Sequence, residues 1–235
     1  MFATVVNMLT VLVGSCVGLA LRGKFSEELG NAIMKGIGLA NLGMGMASLL
    51  GTADFMGVII CMVVGTLIGE KANIERAMDR FGDLLRRKLV KGEGNSRFVE
   101  GFVNATVLFC VGAMAINGSI AAGIEGDYSI LLTKSVMDGV SSITFAAAMG
   151  PGVLCAVIPI LVYQGGLTLL AGVVGPYLSA AVITEMSAVG GAIIIGIGLN
   201  LLELGREHIR VSNMLPAIFL PILYVPLSAF LTGLF

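Results

Sequence analysis

Apolar runs of about 20 residues recur along the whole sequence, at about 4–21, 29–50, 54–69, 101–123, 129–149, 152–172, 178–203 and 211–234. A run of that length crosses the hydrocarbon layer of a bilayer as a helix, the form in which one segment satisfies all its own backbone hydrogen bonds. The chain therefore reads as an all-α integral membrane protein with eight transmembrane helices, or seven if the short third run or the weakly apolar fifth fails to cross. Only 12% of the residues are charged, against about 25% in a soluble domain. The expected organisation is a single polytopic membrane domain over residues 1–235. Spans 1–3 fall within 1–69, a cytoplasmic amphipathic linker within 70–100 and spans 4–8 within 101–235. No basic stretch precedes the first run and no small-residue cleavage site follows it, so it reads as a retained span. Cys16, Cys61, Cys110 and Cys155 each fall in a different run without C-x-x-C spacing, as reduced packing residues do.

The basic residues test the count. Arg22 and Lys24 follow run 1, eight more lie between Lys71 and Arg97, and Arg206 and Arg210 follow run 7. With eight spans all of these fall on one side, which the positive-inside rule makes cytoplasmic. Both termini then lie outside, and the outer connections carry Asp54, Glu125 and Asp127 without a basic residue. The linker repeats Ile74, Ala77, Met78, Phe81, Leu84 and Leu85 at helical spacing, with Glu75, Arg76, Asp79, Arg80, Asp83, Arg86 and Arg87 opposite. That pattern predicts a helix lying on the cytoplasmic membrane face, followed by a flexible link at Gly92, Gly94, Asn95 and Ser96. Interleaved acids and a single aromatic argue against nucleic acid.

Within the fifth run, from about Tyr128 to Met149, Lys134 and Asp138 stand one helical turn apart, on one face and able to pair. Charges at that depth must face protein or water, which marks them as a candidate solute path; the alternative is an ion pair that locks helices together. The other polar residues within the slab are Lys35, Asn41, Asn117, Ser135, Gln164 and Glu185, with Ser141, Ser142 and Thr144 along the fifth run. Lys35 is near enough to the inner end to snorkel, and Asn117 and Gln164 are also suited to bonding neighbouring helices.

A loose repeat runs through the chain: a glycine-bounded end, then a charge leading a helix of small residues. Its copies are Gly18 to Gly23 before Lys35, Gly112 to Gly118 before Lys134, and Gly166 to Gly172 before Glu185. In the eight-span topology the first copy is inverted relative to the others, a plan used by secondary transporters, although packing through small residues also produces such glycines. Pro159, Pro216, Pro221 and Pro226 predict kinks in runs 6 and 8, and Gly150, Pro151 and Gly152 a tight turn between runs 5 and 6.

Enzymatic signatures are absent. His208 has no second His or Cys nearby, no phosphate-binding loop occurs, and no catalytic set converges, so no catalytic residue, metal or cofactor is expected. Several segments together resemble a known bacterial family: GTLIGE (Gly65 to Glu70), Phe109 to Gly112, the Gly126 to Asp138 block, SAVGG (Ser187 to Gly191) and Val211 to Ala217 with its NMLPA. The chain resembles the multi-pass inner-membrane proteins known as domain of unknown function 554, of the YqgA/YdfK type. The resemblance implies that Asp127, Ser129, Lys134, Ser135, Asp138 and Asn213 belong to the family pattern, and it brings no substrate. The expected function is transport of a small polar solute or ion along span 5 in the inner membrane; the alternative is a non-transporting scaffold or partner-binding subunit. The expected partners are the bilayer and the solute, and the small-residue faces are compatible with a homodimer.

Overall fold

The computed structural model describes residues 1–22, 27–89, 97–110, 112–204 and 207–232. Three uninterrupted helices open the chain: α1 (Phe2–Arg22), α2 (Glu27–Leu49) and α3 (Phe55–Ala72). Asn73, with φ 52°, turns α3 into α4 (Ile74–Leu89); asparagine is among the few residues that adopt this left-handed conformation at low cost. The fourth crossing is a broken pair, α5 (Arg97–Cys110) and α6 (Ala113–Ile124), and α7 (Ser129–Met149) is the fifth.

The sixth crossing, Pro151–Leu169, changes hydrogen-bonding pattern three times. A 3-10 stretch (Pro151–Ala156) leads into α8 (Val157–Ile160), a π turn (Leu161–Gly165) and α9 (Gly166–Leu169). Pro159 has no N–H to give an α ladder, so the segment settles into shorter and wider turns. Then come α10 (Ala171–Val174), a 3-10 turn (Gly175–Tyr177) and α11 (Ala180–Leu201). The last crossing is a 3-10 helix (Val211–Phe219) joined to α12 (Pro221–Thr232) with a bend of 47°.

Among the described residues six helices are thus long and apolar enough to cross a membrane, and the number is eight if each of the two bent pairs is one span. Close backbone approaches fix how these pack, because small residues let helices in lipid make van der Waals contact along their length. A Cβ at Gly14 would lie 2.2 Å from the Gly139 carbonyl oxygen, and one at Gly18 would lie 2.2 Å from that of Ile143, so α1 and α7 run parallel. Gly45 and Gly191 oppose each other, as do Gly38 and Gly198, so α2 and α11 run antiparallel. Gly57, Gly65 and Gly69 meet Tyr224, Ala217 and Asn213 in turn. The bent eighth pair therefore follows α3 along its whole length. Gly152 touches Phe98 and Phe102 while Gly123 touches Thr168 and Ala171, so the broken fourth crossing likewise accompanies the sixth from end to end.

The amphipathic linker helix forms as α4, but it also packs on protein. It lies against α5 and the 3-10 helix at 211–219, with the Phe81 ring 5.8 Å from that of Phe102. Leu85, Arg86, Arg87 and the Gly92 to Ser96 link lie outside the described residues or side chains, as do Lys24 and Arg206. Phe98, Phe102, Phe109, Met149 and Ile193 are buried in the shared core, whereas Val136, Val140, Val162 and Leu223 are largely exposed on the apolar perimeter. Lipid-facing positions are expected to look this way.

Candidate functional site

The α1–α7 seam carries a polar stripe. On α1 the buried residues Thr4, Asn7, Val11, Gly14, Ser15 and Gly18 recur every three or four positions, and on α7 they meet Lys134, Ser135, Asp138, Gly139 and Ser142. Lys134 and Asp138 form an ion pair across one turn of α7, and both are more than nine-tenths buried. Asn7 reaches over from α1, its Nδ2 donating to Asp138 Oδ2 at 3.0 Å and to Gln164 Oε1 at 3.0 Å. Gln164 sits in the π turn of the sixth crossing, a helix irregularity frequently found at functional sites. Four side chains from three crossings thus converge about nine residues, or about 14 Å, below the start of α7.

The cluster is only partly satisfied. Asn7 Oδ1, Thr4 Oγ1 and Gln164 Nε2 are buried without a hydrogen-bond partner, while Ser135 and Ser142 bond back to α7 carbonyls and Thr168 to the Gln164 carbonyl. Unpaired polar atoms in an apolar interior carry a desolvation cost. A groove of about 420 Å³ between the outer faces of α1 and α7 reaches Ser135 but not the ion pair.

Of the residues singled out from the sequence, Lys134, Ser135, Asp138 and Gln164 come together here, and the others lie elsewhere. Lys35 is exposed beside a cavity of about 300 Å³ lined by Asn31, Glu100, Asn200 and Glu203. Asn41 is buried in α2 with Oδ1 unpartnered, and Asn117 is exposed on α6. Asn213 Oδ1 accepts from the Glu75 N–H at 2.7 Å and so caps the start of α4. Glu185 belongs to a clamp at the other end of the bundle, where it accepts from the Thr52 hydroxyl and from the Ala53 N–H at 3.0 Å. Beside it Asp54 caps α3, accepting from the Gly57 N–H at 3.0 Å and from the Tyr224 hydroxyl at 2.8 Å. The Gly57 bond, then the Tyr224 bond, hold the Asp54 carboxyl below its ordinary pKa.

Sequence reasoning passed over Asn7, Thr4, Thr52 and Tyr224. A signal for Asn7 was present, since it is the only amide in the first apolar run. Among the described residues no three His, Cys, Asp or Glu side chains converge. The chemistry available is that of a paired carboxylate and ammonium flanked by amide and hydroxyl oxygens.

No solved structure matches the chain. Two bacterial proteins do: "Uncharacterized membrane protein YdfK" of Bacillus subtilis (strain 168), 30% identical over 225 residues and 94% of each chain, and "Uncharacterized protein YqgA" of Escherichia coli (strain K12), 32% identical over 234 residues, covering 98% of this chain and 97% of that one. Residues 2–226 match the family described as "Protein of unknown function (DUF554)". On that match, with six to eight helices able to cross a membrane, the chain is a multi-pass membrane protein of the DUF554 family.

Proposed function

We propose that this protein carries a small polar solute or ion across the bacterial inner membrane, through the cluster of Asn7, Lys134, Asp138 and Gln164. One observation carries the reading: the ion pair is buried together with polar atoms that have no partner, an arrangement costly for packing alone and useful for a guest. The irregular sixth crossing beside it supports the same reading, because transporters build their sites on broken helices. So does the glycine-led repeat, in which the copy before Lys35 is inverted relative to those before Lys134 and Glu185. The basic connections favour an orientation with the Arg22, Lys71 and Arg210 end in the cytoplasm and both termini outside. The protein acts on its solute without chemistry.

A structural role for the pair is the second reading, favoured by its distance from the groove that stops at Ser135. Stopped-flow light scattering of reconstituted vesicles separates the two. The vesicles are challenged with sodium chloride, potassium chloride, glycine and glycerol. Carriage requires that at least one of these move faster than in protein-free vesicles, and that Asp138→Asn, checked for folding by size exclusion, abolish the gain. Equal rates in wild type and variant remove Asp138 from any path.

A further inference from the structure

The cluster contains one carboxylate and one ammonium, so it is neutral when both are ionised. The ammonium of Lys134 and the amide of Asn7 share the same carboxylate oxygen, Asp138 Oδ2. Asn7 Oδ1 and Thr4 Oγ1, both fully buried, are oxygen acceptors left over, and Gln164 Nε2 is a donor left over. Oxygen ligands around a carboxylate suit a hard cation. An ammonium nitrogen already fills the seat, which sets the guest's size.

Resting on the carrier reading, we propose that the guest is a monovalent cation of about ammonium size or smaller, exchanged for the proton of Lys134. The cation takes the place of the ammonium on Asp138. An ammonium displaced from Asp138 has lost its counter-ion, and giving up one proton restores the neutrality of the cluster. The N–H bond breaks, its electron pair stays on nitrogen and the proton leaves to water on the open side. Charge balances: Asp138 carboxylate with Lys134 ammonium plus cation becomes Asp138 carboxylate with cation, neutral Lys134 and a proton. The new lone pair on the amine needs a donor, and Gln164 Nε2 is the unpartnered donor in the cluster. A divalent cation would leave an uncompensated positive charge after the same exchange, and an anion would meet the Asp138 carboxylate.

Cys110, a buried thiol, ends α5, which packs against α7. On the other elements packed against α7, Arg22 lies at Gly150, Cys16 is exposed, and Lys35 and Glu100 line the cavity at the opposite end. Cys155 is buried below, and Tyr163 of the sixth crossing stacks on Phe219. None of these supplies a second carboxylate to the pair.

Vesicles holding a trapped pH indicator test the exchange when sodium, potassium, choline or chloride gradients are imposed at fixed ionic strength. An inward sodium or potassium gradient should drive protons out, while choline should not. Asp138→Asn and Lys134→Arg should both fall to the protein-free rate, the second because a guanidinium keeps its charge and cannot release the proton. Thermal stabilisation of the detergent-solubilised protein by the active cation should show an affinity rising about tenfold per pH unit, as release of one proton requires. Cation flux without proton movement, retained exchange in Lys134→Arg, or flux confined to chloride or a neutral solute overturns the exchange and leaves carriage standing. No flux of any probe overturns both.

Discussion

Single side chains in this protein do most at the points where two crossings meet. Asn7 bridges α1 to α7 and to the sixth crossing, so Asn7→Leu removes donors from Asp138 and from Gln164 together. Stranding buried acceptors in this way costs about 1–3 kcal/mol. We expect a lower Tm in detergent and flux reduced to that of Asp138→Asn; a variant as stable and active as wild type would remove Asn7 from the site. Asp54 acts outside the membrane and through pH. Its folded pKa is lowered by the Gly57 and Tyr224 bonds, so the stability it contributes is complete above the unfolded value of about 4 and is lost as pH falls through the folded one. As an N-cap it is worth about 0.5–2 kcal/mol. The Tm gap between wild type and Asp54→Ala should hold from neutral pH down to about 4 and close below it; a gap that persists in stronger acid would mean that capping by the carboxylate is not its source. Lys134 and Asp138 were visible in the sequence because charge inside an apolar run is conspicuous. Asn7 was harder to see: one neutral amide near a helix start reads as ordinary until its neighbours are known.

At the level of elements, glycine seams decide which helices lie together. Gly191 faces Gly45 so closely that a Cβ would sit 2.6 Å from a backbone oxygen and 2.8 Å from the Leu49 nitrogen. Gly43, two residues from Gly45 on the same helix, has open space around it. Gly191→Ala should therefore destabilise by about 1–3 kcal/mol through overpacking against backbone, which cannot yield as a side chain does. Gly43→Ala should be neutral or gain up to about 1 kcal/mol from helix propensity. Thermal unfolding in one detergent reads both, and equal shifts would mean that α2 and α11 do not meet at this seam. Helix existence was legible from run length alone, and the kinks at runs 6 and 8 from proline. The π turn at Leu161–Gly165 was not, because the wider hydrogen-bond ring depends on how Pro159 is accommodated by neighbours distant in sequence. The break after Cys110 also escaped: the fourth run contains no proline, and Gly112, with φ 135°, reads in sequence like any packing glycine.

For the whole molecule, the contacts sort the connections into two ends. Glu70 meets Arg210 at 3.3 Å, and Asn213 caps α4, at the end where α1, α3, α7 and α11 finish. Thr52, Asp54, Glu185 and Tyr224 join at the end where those helices begin, and there Phe2 stacks edge-on against Tyr128. Only an even number of crossings brings Lys71 and His208 to one end while Asp127 lies at the other, which is the arrangement the distribution of basic residues predicted. Labelling tests this in right-side-out vesicles of a variant with Cys16, the exposed native thiol, replaced by serine. Single cysteines at Lys71, Asp127 and His208 all lie at exposed positions. An impermeant maleimide should modify Asp127→Cys at once, and Lys71→Cys and His208→Cys only after the vesicles are opened. Ready labelling of His208→Cys together with protection of Lys71→Cys would reduce the crossings between them to an odd number. The bent pairs would then no longer both traverse the bilayer, α3 and the eighth crossing would lose their shared length, and the Glu70–Arg210 contact would be impossible.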